Sequence, residues 1–424
     1  MKRGHVFLIF VLLLSVTPAV MNAQTNTALT LEECYRLARK NYPLIKEKEL
    51  IASTRQYSVD NAAKGYLPQF GVNGQVTYQS DVTEIPFKVP GFDIPTVSKT
   101  QYKINGTLNQ TIYDGGNIQL QKRRRGLDAD IQDQNLEVQL YSLKDRINQL
   151  YFGILLFTEQ IKQNNLQQED LKVAVKATQA AVDNGSGFRR ALDESRVELL
   201  NSEQANINLQ ASRKAYLDVL GLFIGQSLGE TTSLETPPQI SSYATINRPE
   251  LRVYDLQKSM YDLEQKQLSA DLRPKFGAFV EGGYSLPGLN FLKTNAQWYY
   301  IGGLKLNWLL GSLYTLKNSR KILLNDDKIQ DVQKETFVFN TNQTLHQQDN
   351  DISKFQKLIE KDNAIIDLRT SIKNAGKAQA QNGVVTVHDY LVYVNDENRA
   401  RQELALHQVQ LLLSQYSYKI TSGN

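Results

Sequence analysis

The residue types that carry chemistry are sparse in this chain, and their spacing excludes most of what they could do. Beyond an N-terminal leader, histidine occurs at His346, His388 and His407, in separate stretches and never as an i,i+4 pair that could hold one metal ion. His388 stands beside Asp389, but adjacent residues on a helix do not face one way. Cys34 is the one cysteine, so an intrachain disulfide and a cysteine-rich metal centre are both excluded. Placed early in a helical stretch, it reads as a small apolar filler rather than a nucleophile. Neither a glycine-rich phosphate loop with its lysine nor a nucleophile elbow occurs. The expectation is no catalytic residue, no cofactor and no metal, and not an enzyme.

Composition narrows the remaining classes. The 424 residues carry 48 Lys+Arg against 44 Asp+Glu, a net charge of +4, which argues against a nucleic-acid partner with its need for a strongly basic face. Apolar residues make up 41%, too few for a multi-span helical membrane protein. Only 11 prolines occur, none between Pro95 and Pro237 or after Pro287. Those two stretches permit very long helices, because an interior proline removes a backbone donor and clashes with the preceding turn.

Lys2 and Arg3 precede an apolar run from Val6 to Leu14, and small residues lead to Met21-Asn22-Ala23-Gln24. That order is a secretory signal peptide over residues 1–23. The competing reading, a membrane anchor, suffers from Pro18 and a short apolar core. No later apolar run is long enough for a transmembrane helix, so an exported chain that enters a membrane must do so as strands.

One pattern is written twice, in repeats over 24–236 and 237–424. Asn41-Tyr42-Pro43-Leu44 is answered 206 residues later by Asn247-Arg248-Pro249-Glu250. From Pro43 to Leu67-Pro68-Gln69-Phe70, and from Pro249 to Arg273-Pro274-Lys275-Phe276, the proline-to-proline interval is 25 residues in both copies. Each interval is helix-like, Glu47 to Lys64 in the first and about 249–272 in the second. The period then drops to two. Phe70, Val72, Gly74, Val76 and Tyr78 alternate with polar residues, as do Tyr102, Ile104, Gly106, Leu108 and Ile112 after a polar connection. The second copy repeats this with Phe276, Ala278, Val280, Gly282 and Tyr284, then Trp298, Tyr300, Gly302, Leu304, Leu306 and Trp308. Hairpins are therefore expected at about 68–113 and 274–310, each strand with one apolar face. Lengths near ten residues and aromatics toward the strand ends suit a bilayer. Two soluble hairpins with one face on a core would show the same alternation.

Long helices are expected after each hairpin, at about 114–184 and 312–382, with returning helices at about 190–223 and 387–420. Ile147, Leu150, Ile154, Phe157 and Ile161 carry the 3,4 spacing of a coiled-coil seam, and Ile352, Phe355 and Ile359 repeat it. Each long run stops at Asn-Gly, Asn184-Gly185 and Asn382-Gly383. At about 1.5 Å per residue each helix would be on the order of 100 Å long, so the body must be an elongated set of antiparallel helices. The polar residues off the seams belong to a solvated outer face or to a wet interior. Four strands are too few to close a barrel, so membrane strands would require several chains.

The order, duplication and spacing of these features resemble the TolC-type outer-membrane efflux protein family across essentially the whole exported chain. The residues carrying the resemblance are Leu29-Thr30-Leu31-Glu32-Glu33-Cys34, the Pro43/Pro249 pair, Pro68-Gln69-Phe70, Tyr113-Asp114-Gly115-Gly116 and the turns at Gly185 and Gly383. The resemblance implies an α+β membrane protein of a Gram-negative outer membrane. A homotrimer would pool four strands per protomer into a 12-stranded barrel, above a long α-helical coiled-coil barrel in the periplasm. It implies a passive conduit for small molecules or proteins, joined by a periplasmic adaptor to an inner-membrane transporter. The alternative from another class is an exported coiled-coil structural or adhesion protein with a soluble β-hairpin head.

The resemblance makes the Gly185 and Gly383 turns the periplasmic tips, where the channel narrows and the adaptor docks. Asp389, six residues after Gly383, fits the family's tip aspartate, three copies of which would ring the pore. The competing role is an ordinary first-turn acid complementing the helix dipole. The first copy departs from the pattern, with Arg189 and Arg190 before Ala191 and Asp193 after it. Two basic groups follow the strands: Lys122-Arg123-Arg124-Arg125, and Lys317 with Arg320 and Lys321. They read either as a solvated helix start or as contacts with anionic headgroups of outer-membrane lipid at the periplasmic leaflet, each cation contributing about 1 kcal/mol. The longer connection about 81–99 would lie outside the cell.

Overall fold

A computed structural model describes residues 28–84, 86, 90–91, 96–240 and 245–424. The expected signal peptide and part of the 81–99 connection lie outside the described residues. Thr30 opens α1 (Leu31–Asn41) by accepting the Glu33 amide at its hydroxyl, and the helix ends where Tyr42-Pro43 forbids its continuation. A short 3-10 turn leads to α2 (Glu47–Ala63). Then come β1 (Gln69–Tyr78) and β2 (Thr100–Tyr113). The helices α3 (Asn117–Tyr141), α4 (Leu143–Asp183) and α5 (Arg189–Ile224) complete the first half. The second half holds α6 (Pro249–Asp271), β3 (Lys275–Leu286), β4 (Gln297–Asn307), α7 (Leu313–Gln381) and α8 (Val387–Ser422).

The continuous helix expected at about 114–184 is in fact two. Asp114 turns its carboxylate onto the amides of Gly116 and Ile118, and Gly115 and Gly116 take φ of +76° and +92°, so helix begins only at Asn117. Ser142 is the single non-helical position between α3 and α4; its hydroxyl donates to the Gln139 carbonyl at 2.8 Å while its amide still reaches the Val138 carbonyl at 3.2 Å. Its counterpart α7 runs unbroken for 69 residues, about 100 Å.

The strands form one antiparallel sheet in the order β1-β2-β3-β4. Residues opposite one another across the register share a face: Phe70, Leu108, Val280 and Gly302 on one, Asn73, Asn105, Gly283 and Tyr299 on the other. The second face is concave, since Asn105 and Ser285 on it are buried while Val76, Trp298 and Leu304 on the first are 74–82% exposed. Apolar side chains thus cover the convex side.

Below the sheet the helices make a layer of order α2-α3-α6-α7, and further down α5-α4-α8-α7. The main core lies where α1 covers α4 and α5, around Cys34, Ile147, Tyr151, Phe152, Leu217 and Tyr416. The Tyr151 hydroxyl lies at hydrogen-bond distance from the carbonyls of Leu29 and Glu235, beside the isolated bridge between Leu29 and Leu234. Cys34 is fully buried and burial pushes its thiol up to about 12, which leaves it inert packing rather than a nucleophile. No helix among the described residues is long and apolar enough to cross a membrane.

Candidate functional site

Two places in the fold carry the residues singled out in the sequence, and a third gathers charged residues that were not. The first is the end of the helical body. Gly185 and Gly383, with φ of +72° and +71°, reverse the chain between α4 and α5 and between α7 and α8. A left-handed φ is what a side chain would strain against. The two turns come together, because Ala181 beside the first and Gln381 and Val387 beside the second line one cavity of about 320 Å³.

The cations of the first turn are satisfied within their own helix. Arg189 pairs with Asp193 at 3.3 Å and Arg190 with Glu194 at 3.2 Å, both i,i+4. Asp389 forms a capping box: its carboxylate accepts from the Thr386 amide at 3.1 Å and hydroxyl at 2.6 Å, while its amide donates to Thr386 Oγ1. The Thr386 hydroxyl and then its amide hold the Asp389 carboxyl below the usual carboxylate range, so it is charged near neutral pH. A first-turn capping role is therefore present in the protomer.

The second place is the collar where strands meet helices. Lys122, Arg123, Arg124 and Arg125 lie in the opening turns of α3, and Lys317, Arg320 and Lys321 in those of α7. Arg124 pairs with Glu264 at 3.2 Å and Arg125 reaches Asp128 at 4.0 Å, while Arg320 donates to Ser269. Lys122, Arg123, Lys317 and Lys321 have no ion pair among the described residues. Of these seven cations two are thus ion-paired and Arg320 bonds only a neutral hydroxyl, which leaves four without a partner among the described residues.

The third place is the concave face, which holds every charged strand residue: Lys103, Lys275, Glu281 and Lys305. The sequence reading did not single them out; their shared parity, opposite to that of the apolar strand residues, was the available signal. A further cluster was missed because it joins three helices: Lys373 of α7 lies 2.9 Å from Asp170 of α4 and 2.5 Å from Glu397 of α8. No group of three or more acidic, histidine or cysteine residues able to hold a metal occurs among the described residues.

Residues 34–226 match the family model described as "Outer membrane efflux protein". No curated protein sequence matches the chain. Among solved structures, the outer membrane channel CmeC of Campylobacter jejuni superposes with a TM-score of 0.65 at 13% identity, covering 93% of this chain and 85% of that one. MtrE, the outer membrane channel of Neisseria gonorrhoeae, gives 0.65 at 14% identity, covering 93% and 89%. CusC, described for its transmembrane channel formation, gives 0.69 at 12% identity, covering 93% and 92%. These structures share the fold: four strands above long antiparallel helices. The sequence match over 34–226 and the shared fold over the described chain agree with the resemblance to outer-membrane efflux proteins read from the sequence.

Proposed function

We propose that three copies of this chain close a 12-stranded barrel in the outer membrane, continued by a helical tunnel in the periplasm, and that the assembly is a passive exit duct. One observation carries the reading: the protomer is an open layer at every level. Among the described residues β1 and β4 each leave one edge unpaired, and α2, α5 and α7 stand at the ends of their helix layers. An exposed sheet edge this long is an invitation to pair. Pairing β1 of one copy with β4 of the next is a heterologous contact, which closes into a ring when the rotation permits. The convex apolar band, free of charge, meets lipid; the concave face, with all the strand charges, meets water.

An exit duct that binds no nucleotide draws its energy from elsewhere. The family's arrangement supplies it: an inner-membrane transporter coupled through a periplasmic adaptor that docks at the Gly185 and Gly383 turns. The match of residues 34–226 to an efflux family supports transport rather than enzymology. Three Asp389 carboxylates, charged near neutral pH, would ring the narrow end while capping their own helices. Lys122, Arg123, Lys317 and Lys321 would meet anionic headgroups at the periplasmic leaflet. The rival reading, a soluble coiled-coil adhesion protein, leaves the convex band without a covering.

Fractionation tests this directly. The reading expects the chain in outer membranes as a detergent-requiring, heat-modifiable trimer; a rod released without detergent would contradict it. Deleting the gene and comparing toxic-compound sensitivity with the secreted-protein profile separates drug efflux from protein secretion.

A further inference from the structure

The four strands contain four charged residues, and their arrangement on the concave face is uneven. Lys103 and Glu281 neutralise each other, with Nζ 2.7 Å from Oε1, and the Tyr299 hydroxyl donates to the same oxygen at 2.7 Å. The Lys275 and Lys305 side chains have no ion pair or hydrogen bond among the described residues. Register places Lys275 opposite Asn307 and Lys305 opposite Gly277, so the two lysines are diagonal neighbours at the helix-proximal end of the sheet.

They border a cavity of about 230 Å³ whose wall also includes Asn109, Thr111, Asn307 and Phe279. Its floor is tight: a Cβ on Gly277 would come within 3.0 Å of the Gln110 carbonyl oxygen, beside the irregularity between Thr111 and Tyr113. Asp114 borders the same cavity, but its carboxylate accepts from the amides of Gly116 at 2.9 Å and Ile118 at 2.5 Å and is committed to the start of α3. Lys275 and Lys305 therefore line the niche beside amide and hydroxyl side chains, with no acid at ion-pair distance from either lysine among the described residues.

The geometry points to an anion-binding niche on the luminal wall, repeated three times around the barrel, that gives the duct a preference for cargo carrying carboxylate, sulfate or phosphate groups. The inference rests on the trimeric conduit. In that ring, six ammonium groups stand at one level of the lumen, and low-dielectric walls focus their field on whatever passes. Cationic cargo meets a repulsive belt there; anionic cargo meets donors with nothing else to bind.

Single trimers in planar bilayers test this, with inorganic tripolyphosphate added on the loop side as the anionic probe and spermine as the cationic one. The wild type is expected to be blocked by tripolyphosphate at lower concentration than by spermine. Lys275→Gln with Lys305→Gln should raise the half-blocking tripolyphosphate concentration by about tenfold, the scale of lost charge-assisted contacts. It should also shift the reversal potential toward cations. Lys275→Arg with Lys305→Arg keeps both charges and should keep the block, which separates charge from assembly. Lys354→Gln, on an exposed face of α7 where it pairs with Asp351, should change nothing. Spermine blocking more strongly than tripolyphosphate in the wild type overturns the niche, as does equal block of wild type and the glutamine variant. A wild type that forms trimers without any conductance overturns the conduit itself, a distinguishable failure.

Discussion

Replacing Lys373 with methionine should loosen the lower helices and leave the barrel alone. Lys373 Nζ joins Asp170 of α4 and Glu397 of α8, and Glu397 also accepts from Thr370 Oγ1 at 2.7 Å and Arg401 Nη2 at 2.7 Å. The Glu397 side chain is only 6% exposed. Breaking a buried ion pair from one side costs about 3–5 kcal/mol. Two features lower that figure here: Glu397 keeps Arg401 and Thr370, and the Asp170 side chain is 33% exposed and can be rehydrated. About 2–3 kcal/mol remains, a factor of about 30–150 in the local opening equilibrium.

Hydrogen exchange read by mass spectrometry on detergent-solubilised protein should show that loss of protection around residues 366–378 and 390–402, with the strands unchanged. A change below about threefold would refute the reasoning. The pH dependence has a definite sign. Burial alone would raise the Glu397 carboxyl, but hydrogen bonds from Lys373, Arg401 and Thr370 outweigh it and hold the group below its ordinary value of 4.5. Burial alone would lower Lys373, and its hydrogen bonds to Glu397 and Asp170 instead raise it above 10.5. The carboxylate contribution is complete above its unfolded value and fades as pH falls through the depressed one; the lysine contribution fades only as pH rises through its raised one. Wild-type protection, corrected for intrinsic exchange, should therefore converge on that of the variant at pH well below 4.5 and not between neutrality and pH 9.

Three other outcomes follow from the same structure. Leu304→Arg puts a charge on the convex face at a side chain 82% exposed in the protomer; it should cost about 2–4 kcal/mol in the bilayer and cut outer-membrane insertion, while Asn73→Lys on the concave face should insert normally, as fractionation would show. Gly283→Ala would drive a Cβ into the Ile104 carbonyl oxygen and the Asn105 side chain across the β2–β3 ladder, so the yield of heat-modifiable trimers should fall sharply. Asp389→Ala should raise conductance or alter cation selectivity in planar bilayers and also speed exchange in the first turn of α8; unchanged currents with faster exchange would leave it a helix cap and nothing more.

How far the sequence could be read depended on the range of the interaction responsible. β1 was legible because every second residue from Phe70 to Tyr78 is apolar or glycine, a pattern that sets the face of a strand locally. The start of α1 and its end at Tyr42-Pro43 were legible for the same reason, through a cap and a proline. Ser142 was not: serine is an ordinary helix residue, and no proline or glycine beside it marks the one-residue break between α3 and α4. Thr386-Val387-His388-Asp389 carries the spacing of a capping box, and that local signal for Asp389 was there to be read. The Asp170–Lys373–Glu397 tie had no local signal, since its members meet only after α4, α7 and α8 pack side by side. Equally, the niche at Lys275 and Lys305 depends on a strand register that no single strand specifies.

The central claim is ring closure by β1 and β4 of neighbouring copies, and covalent trapping measures it. In a Cys34→Ser background, Asn73→Cys on β1 and Ile301→Cys on β4, both on the concave face, can be joined in outer membranes by a bifunctional maleimide. Closure predicts a ladder of linked copies that stops at three, with the three-copy band resistant to heat. Products confined to single copies, or a ladder that runs on past three, would contradict it.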